Sequence, residues 1–101
     1  RSALDLFDLQ AVERDFAFIV DNKVEASDLV IAATGADKQL IQDVRVFDEF
    51  VGKEFGNEKK SIALTVRLQP AEKTLTDAEI EDLSKKVIEK VENATGGVLR
   101  T

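Results

Sequence analysis

Bulky apolar residues alternate with polar or small residues in two parts of the chain, and this is the period of a β-strand with one buried face. The first part is residues 12–20, where Phe16 and Phe18 share a phase. The second is residues 61–69, where every second residue is Ile, Leu or Val. Between them, residues 41–50 are rich in β-branched and aromatic side chains. They predict a further strand, which pairs in a hairpin with the strand at residues 61–69.

A short helix is predicted between the first two strands. Ser27 and Asp28 precede an apolar stretch at residues 29–33, and Gly35 follows it. A polar side chain that can accept from free backbone N–H groups, an apolar stripe and a terminal glycine are typical of a helix. We therefore expect a helix whose side-chain cap lies at Ser27 and Asp28.

A longer helix is predicted near the end of the chain. Thr76 and Glu79 have the spacing of a capping box, in which each side chain accepts from the backbone N–H of the other residue. Apolar residues then recur at three- and four-residue steps, which predicts one helix over residues 77–93. Glycines at 96–97 end it, and residues 98–99 remain for a short last strand.

The predicted order of elements is strand, helix, strand, strand, helix, strand. Two helices cannot cover both faces of a four-stranded sheet, so we expect both to pack on one face. The expected fold is α+β, ferredoxin-like βαββαβ, with a four-stranded antiparallel sheet and two helices on one face. The other face is left open to solvent or to a partner, and RNA-binding domains of this plan place unstacked bases across it.

The chain has 101 residues, of which 44% are hydrophobic and 34% charged, and this is the composition of a globular domain. We expect a leading segment at residues 1–10, which has little pattern, and one domain at residues 11–101. Because the first residue is Arg rather than Met, we also expect a piece of a longer polypeptide. The chain lacks a secretory signal and an apolar run of about 18 residues, so we expect a cytoplasmic protein without membrane contact.

The residue types exclude most catalytic chemistry. The chain has no Cys and no His, so disulfides, structural zinc, thiol nucleophiles and Ser-His-Asp triads are excluded. Its five glycines form neither a P-loop nor a dinucleotide-binding loop. We therefore expect a domain without catalytic residues, metal ion or cofactor of its own.

The charge is unevenly distributed. The net charge of −6 has the wrong sign for a generic nucleic-acid binder. Residues 44–75, however, carry six basic and five acidic side chains, a net charge of +1, whereas the rest of the chain carries eight basic and fifteen acidic ones, a net charge of −7. Two interpretations are open: the middle stretch faces a polyanion, or its cations are ordinary solvated side chains.

Five short strings, read together, point to a known family. They are Arg14-Asp15-Phe16-Ala17-Phe18, Val46-Phe47-Asp48-Glu49-Phe50, Lys59-Lys60-Ser61-Ile62-Ala63-Leu64, Lys73-Thr74-Leu75-Thr76-Asp77-Ala78-Glu79 and Gly97-Val98-Leu99-Arg100. In this order and spacing, over residues 11–100, the chain resembles the ferredoxin-fold anticodon-binding domain at the C-terminus of the bacterial phenylalanine-tRNA ligase beta subunit. The resemblance implies binding to the anticodon loop of tRNA(Phe). It also implies partners in the rest of the beta subunit and in the alpha subunit of an α2β2 ligase, where aminoacylation uses ATP, magnesium and phenylalanine.

The resemblance implies a set of RNA-binding residues. Asp48 falls where the family has an aspartate that reads the first anticodon base, a guanine, whose N1–H and amino group can donate to a carboxylate. Phe50 falls where the family usually has a Tyr on which a base stacks, so the ring is kept and the hydroxyl is lost. Ser61 and Ala17 match neighbouring positions, a small hydroxyl and a small residue whose backbone can be approached closely.

The phase of the second strand sets a condition on this assignment. Asp48 and Phe50 share their phase with Val44 and Val46, which are expected in the core. Both expectations hold only if a bulge or a twist lies between Val46 and Asp48.

Each of these residues also has an ordinary structural interpretation. Phe50 could pack at the rim of the core, and Asp48 could be a solvated turn residue. Lys59 and Lys60 could be edge-strand lysines that oppose aggregation, or they could add electrostatic affinity for a phosphodiester backbone. For the whole domain, the alternative is a protein-interaction module that docks its open face within a larger complex. An acylphosphatase-like hydrolase would need a phosphate-binding loop that residues 21–25 do not supply.

Overall fold

A computed structural model of the protein describes residues 11–52, 54, 58–70 and 74–100. Its helices and strands follow the order predicted from the sequence. They are β1 (Val12–Asp21), α1 (Ala26–Thr34), β2 (Ile41–Val51), β3 (Lys59–Leu68), α2 (Asp77–Thr95) and β4 (Val98–Leu99). The strands form one antiparallel sheet in the order β2-β3-β1-β4. The expected ferredoxin-like βαββαβ fold is confirmed.

Some predictions fall outside the described residues. These are the leading segment at residues 1–10, and Lys53 and Lys73, which are two of the six cations of the middle stretch. Within the ranges that are described, no helix is both long enough and apolar enough to cross a membrane.

The core lies between one face of the sheet and the two helices. Phe16 and Phe18 of β1 project to this face, and their rings stack with centroids 6.4 Å apart. Buried residues of every element except β4 complete the core: Val20, Leu29, Ala33, Ile41, Val44, Ile62, Leu64, Val66, Leu68, Ile80, Leu83, Val87 and Val91. Both helices therefore cover the same face, as predicted, and we call the other one the open face.

The predicted N-terminal cap is wrong in part for α1 and correct for α2. In α1, Glu25 is the N-cap residue, and its backbone N–H donates to the Asp28 carboxylate at 3.2 Å. The prediction that Ser27 caps this helix is wrong, because the helix begins earlier and Ser27 lies in its first turn. In α2, the predicted capping box is confirmed. The Thr76 hydroxyl accepts from the Glu79 N–H at 3.1 Å, and the Glu79 carboxylate accepts from the Thr76 N–H at 2.9 Å.

Two glycines bring β4 against β1. Gly96 ends α2 with a φ of 74°, a left-handed conformation in which glycine carries no steric penalty. At Gly97, an added Cβ would lie only 2.6 Å from Cγ1 of Val20. A side chain at this position would push β4 away from β1, and so would move the edge of the open face.

The predicted irregularity of β2 is present. Its pairing with β3 shifts register between Val46 and Asp48, so the strand changes phase there. Val44 therefore faces the core while Asp48 faces the open side. A second register shift, between Ile41 and Asp43, was not predicted. The bulge or twist that Asp48 needs in order to face away from the core is therefore present.

Candidate nucleic-acid interface

At one end of the open face, charged side chains are bound to one another. The Arg67 guanidinium binds Glu13 at 3.1 Å and donates to the Gln42 side chain at 2.8 Å. The Thr65 hydroxyl donates to the Asp15 carboxylate at 2.8 Å. We call this the polar end, formed by Glu13, Asp15, Gln42, Asp43, Arg45, Thr65 and Arg67. These side chains therefore have hydrogen-bond or ion-pair partners within the face.

The other end of the open face is built differently. Residues directly opposite in an antiparallel sheet project to the same side, so the register shows which side chains are neighbours. Ala63 lies opposite both Asp48 and Ala17, and Ser61 lies opposite both Phe50 and Ile19. We call this the aromatic end, formed by Ala17, Ile19, Asp48, Phe50, Ser61, Ala63, Val98 and Arg100.

Asp48 and Phe50 present a carboxylate and a ring on this surface. Phe50 is 51% exposed, so its ring is accessible from solvent. One Asp48 oxygen accepts from the backbone N–H of Glu49 at 2.9 Å, and no other hydrogen bond reaches this carboxylate from the described part of the chain. Both side chains are therefore accessible to a ligand that carries hydrogen-bond donors and a flat ring.

Ser61 and Ala17 lie between the exposed side chains. Ser61 faces the open side but is only 1% exposed, and its hydroxyl accepts from Nη1 of Arg100 at 3.4 Å. The Ala17 carbonyl accepts from the Arg100 backbone N–H at 2.7 Å. The sequence reasoning did not assign Arg100 to this site. It shares the phase of Val98, but only the pairing of β4 with β1 reveals where it lies.

The two predicted lysines lie on opposite sides of the sheet. Lys59 is exposed and shares the phase of Ser61, at the end of β3. Lys60 has the opposite phase. Its ammonium binds Glu49 at 3.0 Å, and its side chain is only 11% exposed. The structure thus brings Ala17, Asp48, Phe50 and Ser61 together with Lys59 beside them, and it does not bring Lys60 to this face.

The cations of the middle stretch do not form one patch within the described ranges. Arg45 and Arg67 are engaged at the polar end, where Arg45 binds Asp43 at 2.6 Å. Lys60 is paired on the helix side of the sheet, and Lys59 is exposed beyond Ser61. For these four cations, the interpretation as dispersed side chains fits better than a continuous polyanion-facing patch.

The chemistry of the aromatic end suits an unpaired nucleobase. An exposed ring can stack on a base, and a carboxylate can accept from base N–H groups. Among the residues described, no cluster of three or more Asp, Glu, His or Cys side chains could hold a metal ion. The accessible groups therefore favour recognition by stacking and hydrogen bonding.

A family model for the ferredoxin-fold anticodon binding domain matches residues 8–100. The chain belongs to this family. It is similar to the phenylalanine-tRNA ligase beta subunits of Ruegeria pomeroyi (66% identical over 100 residues), Cereibacter sphaeroides (62% over 104) and Mesorhizobium japonicum (59% over 97). These alignments cover 96 to 99% of this chain and 12 to 13% of the relatives. The resemblance carried by the five strings is confirmed, and the chain spans about an eighth of the length of these relatives.

Proposed function

We propose that this chain is the anticodon-binding domain of a phenylalanine-tRNA ligase beta subunit and that its aromatic end binds the anticodon loop of tRNA(Phe). The observation that carries the proposal is that Asp48 and Phe50 lie together on the exposed sheet face, with Ala17 in line with Asp48 across Ala63. In the complete α2β2 ligase, aminoacylation would take place in the alpha subunit. This domain would contribute tRNA binding and no catalytic group.

The carboxylate of Asp48 would read the first anticodon base. Guanine presents an N1–H and an exocyclic amino group on one edge, and both donate to a carboxylate. Adenine, cytosine and uracil lack this pair of adjacent donors. The Asp48 oxygen that accepts from the Glu49 N–H is held in place by that bond, so the side chain is oriented before RNA arrives.

The ring of Phe50 would support a base by stacking. Stacking of a base on an aromatic side chain contributes about 1 to 3 kcal/mol and does not need a phenolic hydroxyl. The isolated domain would nevertheless bind weakly, because Lys59 is the only predicted lysine on this face and few phosphates would be contacted. The longer protein would provide the remaining affinity by linking this contact to others.

An NMR titration of the 101-residue chain with an anticodon stem-loop of anticodon GAA tests the proposal. We expect shift changes concentrated at Ala17, Asp48, Phe50 and Ser61, while the signals of Asp15 at the polar end stay in place. Shift changes scattered over the sheet, or equal responses to any anticodon, would contradict it. The same experiment addresses the alternative, since a protein-interaction module would show no preference among RNAs.

A paired substitution in RNA and protein isolates the role of Asp48. Inosine in place of the guanine keeps the N1–H and removes the amino group, so one hydrogen bond to the carboxylate is lost. We expect inosine to weaken binding about ten-fold in the unaltered chain, the effect of one charge-assisted hydrogen bond. In Asp48→Asn this difference should shrink, because the amide offers one acceptor oxygen in place of two. Asp15→Asn, a carboxylate on the same face at the polar end, is the matched control and should keep the full difference.

A further inference from the structure

Arg100 reaches over the open face from its edge. Its backbone N–H donates to the Ala17 carbonyl at 2.7 Å, which continues the pairing of β4 with β1 by one residue. Its guanidinium donates to the Ser61 hydroxyl at 3.4 Å, although Ser61 lies on β3 and β1 is between the two strands. Neighbouring strands are about 4.8 Å apart, so the side chain has to cross β1 to make this contact. The guanidinium thus lies above the middle of the sheet.

Ser61 is not accessible to a ligand in this arrangement. Its side chain faces the open side, yet the residue is 1% exposed, and its hydroxyl accepts a hydrogen bond from Arg100. A base that approaches this part of the face would meet Arg100 and Phe50 before it met the hydroxyl. A direct contact from Ser61 to RNA, which the family resemblance implies, would require Arg100 to move.

Arg100 and Phe50 line the same opening. Together with Val51 and Glu54 they line an open pocket of about 260 Å³ beside the end of β2. This volume is slightly below the range of pockets that hold drug-sized ligands, about 300 to 1,000 Å³, and leaves room for one planar group. Unpaired bases stack on aromatic rings and on the plane of arginine guanidinium groups, and the pocket offers one of each.

We infer that Arg100 is an RNA-contacting residue, that its guanidinium and the Phe50 ring form the two sides of a slot for one unpaired base, and that Ser61 positions Arg100. The inference rests on the proposed function, since it assigns further residues to the same RNA site. It changes the role of Ser61 from a residue that contacts the base to a residue that orients the guanidinium. It also places a guanidinium beside the Phe50 ring, in a pocket that Glu54 lines as well.

Substitution of Arg100 tests the contact in the full 101-residue chain with the GAA stem-loop. We expect Arg100→Met to weaken binding about ten-fold, in the range for loss of one stacked base. Arg100→Lys should recover only part of the loss, because an ammonium keeps the charge without the plane. Arg45→Met is the matched control. Arg45 is an arginine on the same face at the polar end with a side chain 79% exposed, and we expect its removal to change binding less than about two-fold.

A double-mutant cycle tests the positioning role of Ser61. Ser61→Ala should weaken binding in the unaltered chain and have no further effect in the Arg100→Met background, because the hydroxyl acts through the guanidinium. Independent, multiplying effects would show that Ser61 contacts RNA directly and would overturn this part. Circular dichroism and urea unfolding of each variant identify any loss of the fold. If Ser61→Ala does not fold, Arg100→Met and Arg100→Lys still decide the contact.

The outcomes separate this inference from the proposed function. If the unaltered chain prefers GAA and Phe50→Ala weakens binding while Arg100→Met does not, the role of Arg100 is wrong and the proposed function stands. If the unaltered chain shows no preference for GAA over other anticodons, the proposed function fails, and the inference fails with it.

Discussion

The two ends of the open face share one backbone and differ in how their side chains are used. At the polar end, Arg67 donates hydrogen bonds to Glu13 and Gln42. Thr65 donates one to Asp15, so these side chains are bound to one another. At the aromatic end, two alanines and a covered serine lie between exposed groups, and Phe50 is half-exposed. The same antiparallel pairing therefore supports one end where charged side chains pair across the strands and one end where a phenylalanine ring is half-exposed.

The two ends also differ in how much their side chains contribute to the stability of the fold. A hydrogen bond or ion pair between exposed side chains contributes about 1 kcal/mol or less, but it leaves no group that needs another molecule. An exposed phenylalanine keeps apolar area in contact with water, so that area contributes no hydrophobic free energy to folding. The proposed RNA ligand would cover this exposed ring at the aromatic end.

The largest expected effects compare Phe16 with Phe50. Phe16 is 9% exposed beneath the helices, so Phe16→Ala should lower the free energy of unfolding by about 3 to 5 kcal/mol, as for other buried phenylalanines. Phe50→Ala should leave unfolding nearly unchanged and weaken binding of the GAA stem-loop about ten-fold or more. Urea denaturation and the NMR titration measure the two quantities. Destabilisation by Phe50→Ala together with a stable Phe16→Ala variant would mean that the two faces are assigned the wrong way round.

Local patterns were sufficient to predict the architecture. Periodicity predicted β1, β3 and α2, residue type predicted β2, and the flanking polar residues and glycines predicted α1 and the position of β4. The bulge after Val46 was predictable once the family resemblance placed Asp48 on the open face, since Asp48 and the core-facing valines cannot share one phase without it. The cap of α1 was not, because Glu25, Ser27 and Asp28 all carry side-chain acceptors and only the backbone decides where a helix begins.

The lysines and Arg100 show what the sequence could not provide about the site. Adjacent residues on a strand project to opposite faces of the sheet, so Lys59 and Lys60 could not both lie on the open face. The alternation alone does not show that Lys60 binds Glu49. The position of Arg100 depends on a two-residue strand that pairs with β1, which is far away in the chain. Contacts of this kind are set by tertiary structure and leave no local pattern.

A smaller effect is expected from Arg67→Met at the polar end. This change removes the ion pair with Glu13 and the hydrogen bond to Gln42, all between exposed or half-exposed groups. The free energy of unfolding should fall by about 1 kcal/mol, and binding of the GAA stem-loop should not change. Urea denaturation and the NMR titration again give both values. Weaker binding by this variant would show that RNA covers the whole open face, and the distinction between the two ends would then be lost.

The smallest expected effect separates Lys59 from Lys60 by the salt dependence of binding. Each phosphate contact on single-stranded nucleic acid contributes about 0.7 to the slope of log K against log salt concentration. Lys59→Met should therefore make that slope shallower by about 0.7, because Lys59 is exposed beside the aromatic end. Lys60→Met is the matched control on the adjacent residue. Its ammonium is bound to Glu49 on the opposite side of the sheet, and methionine keeps the apolar stem, so the slope should not change. A shallower slope for Lys60→Met with no change for Lys59→Met would place the phosphate backbone along the helix-covered side, and the aromatic end would no longer be the electrostatic contact.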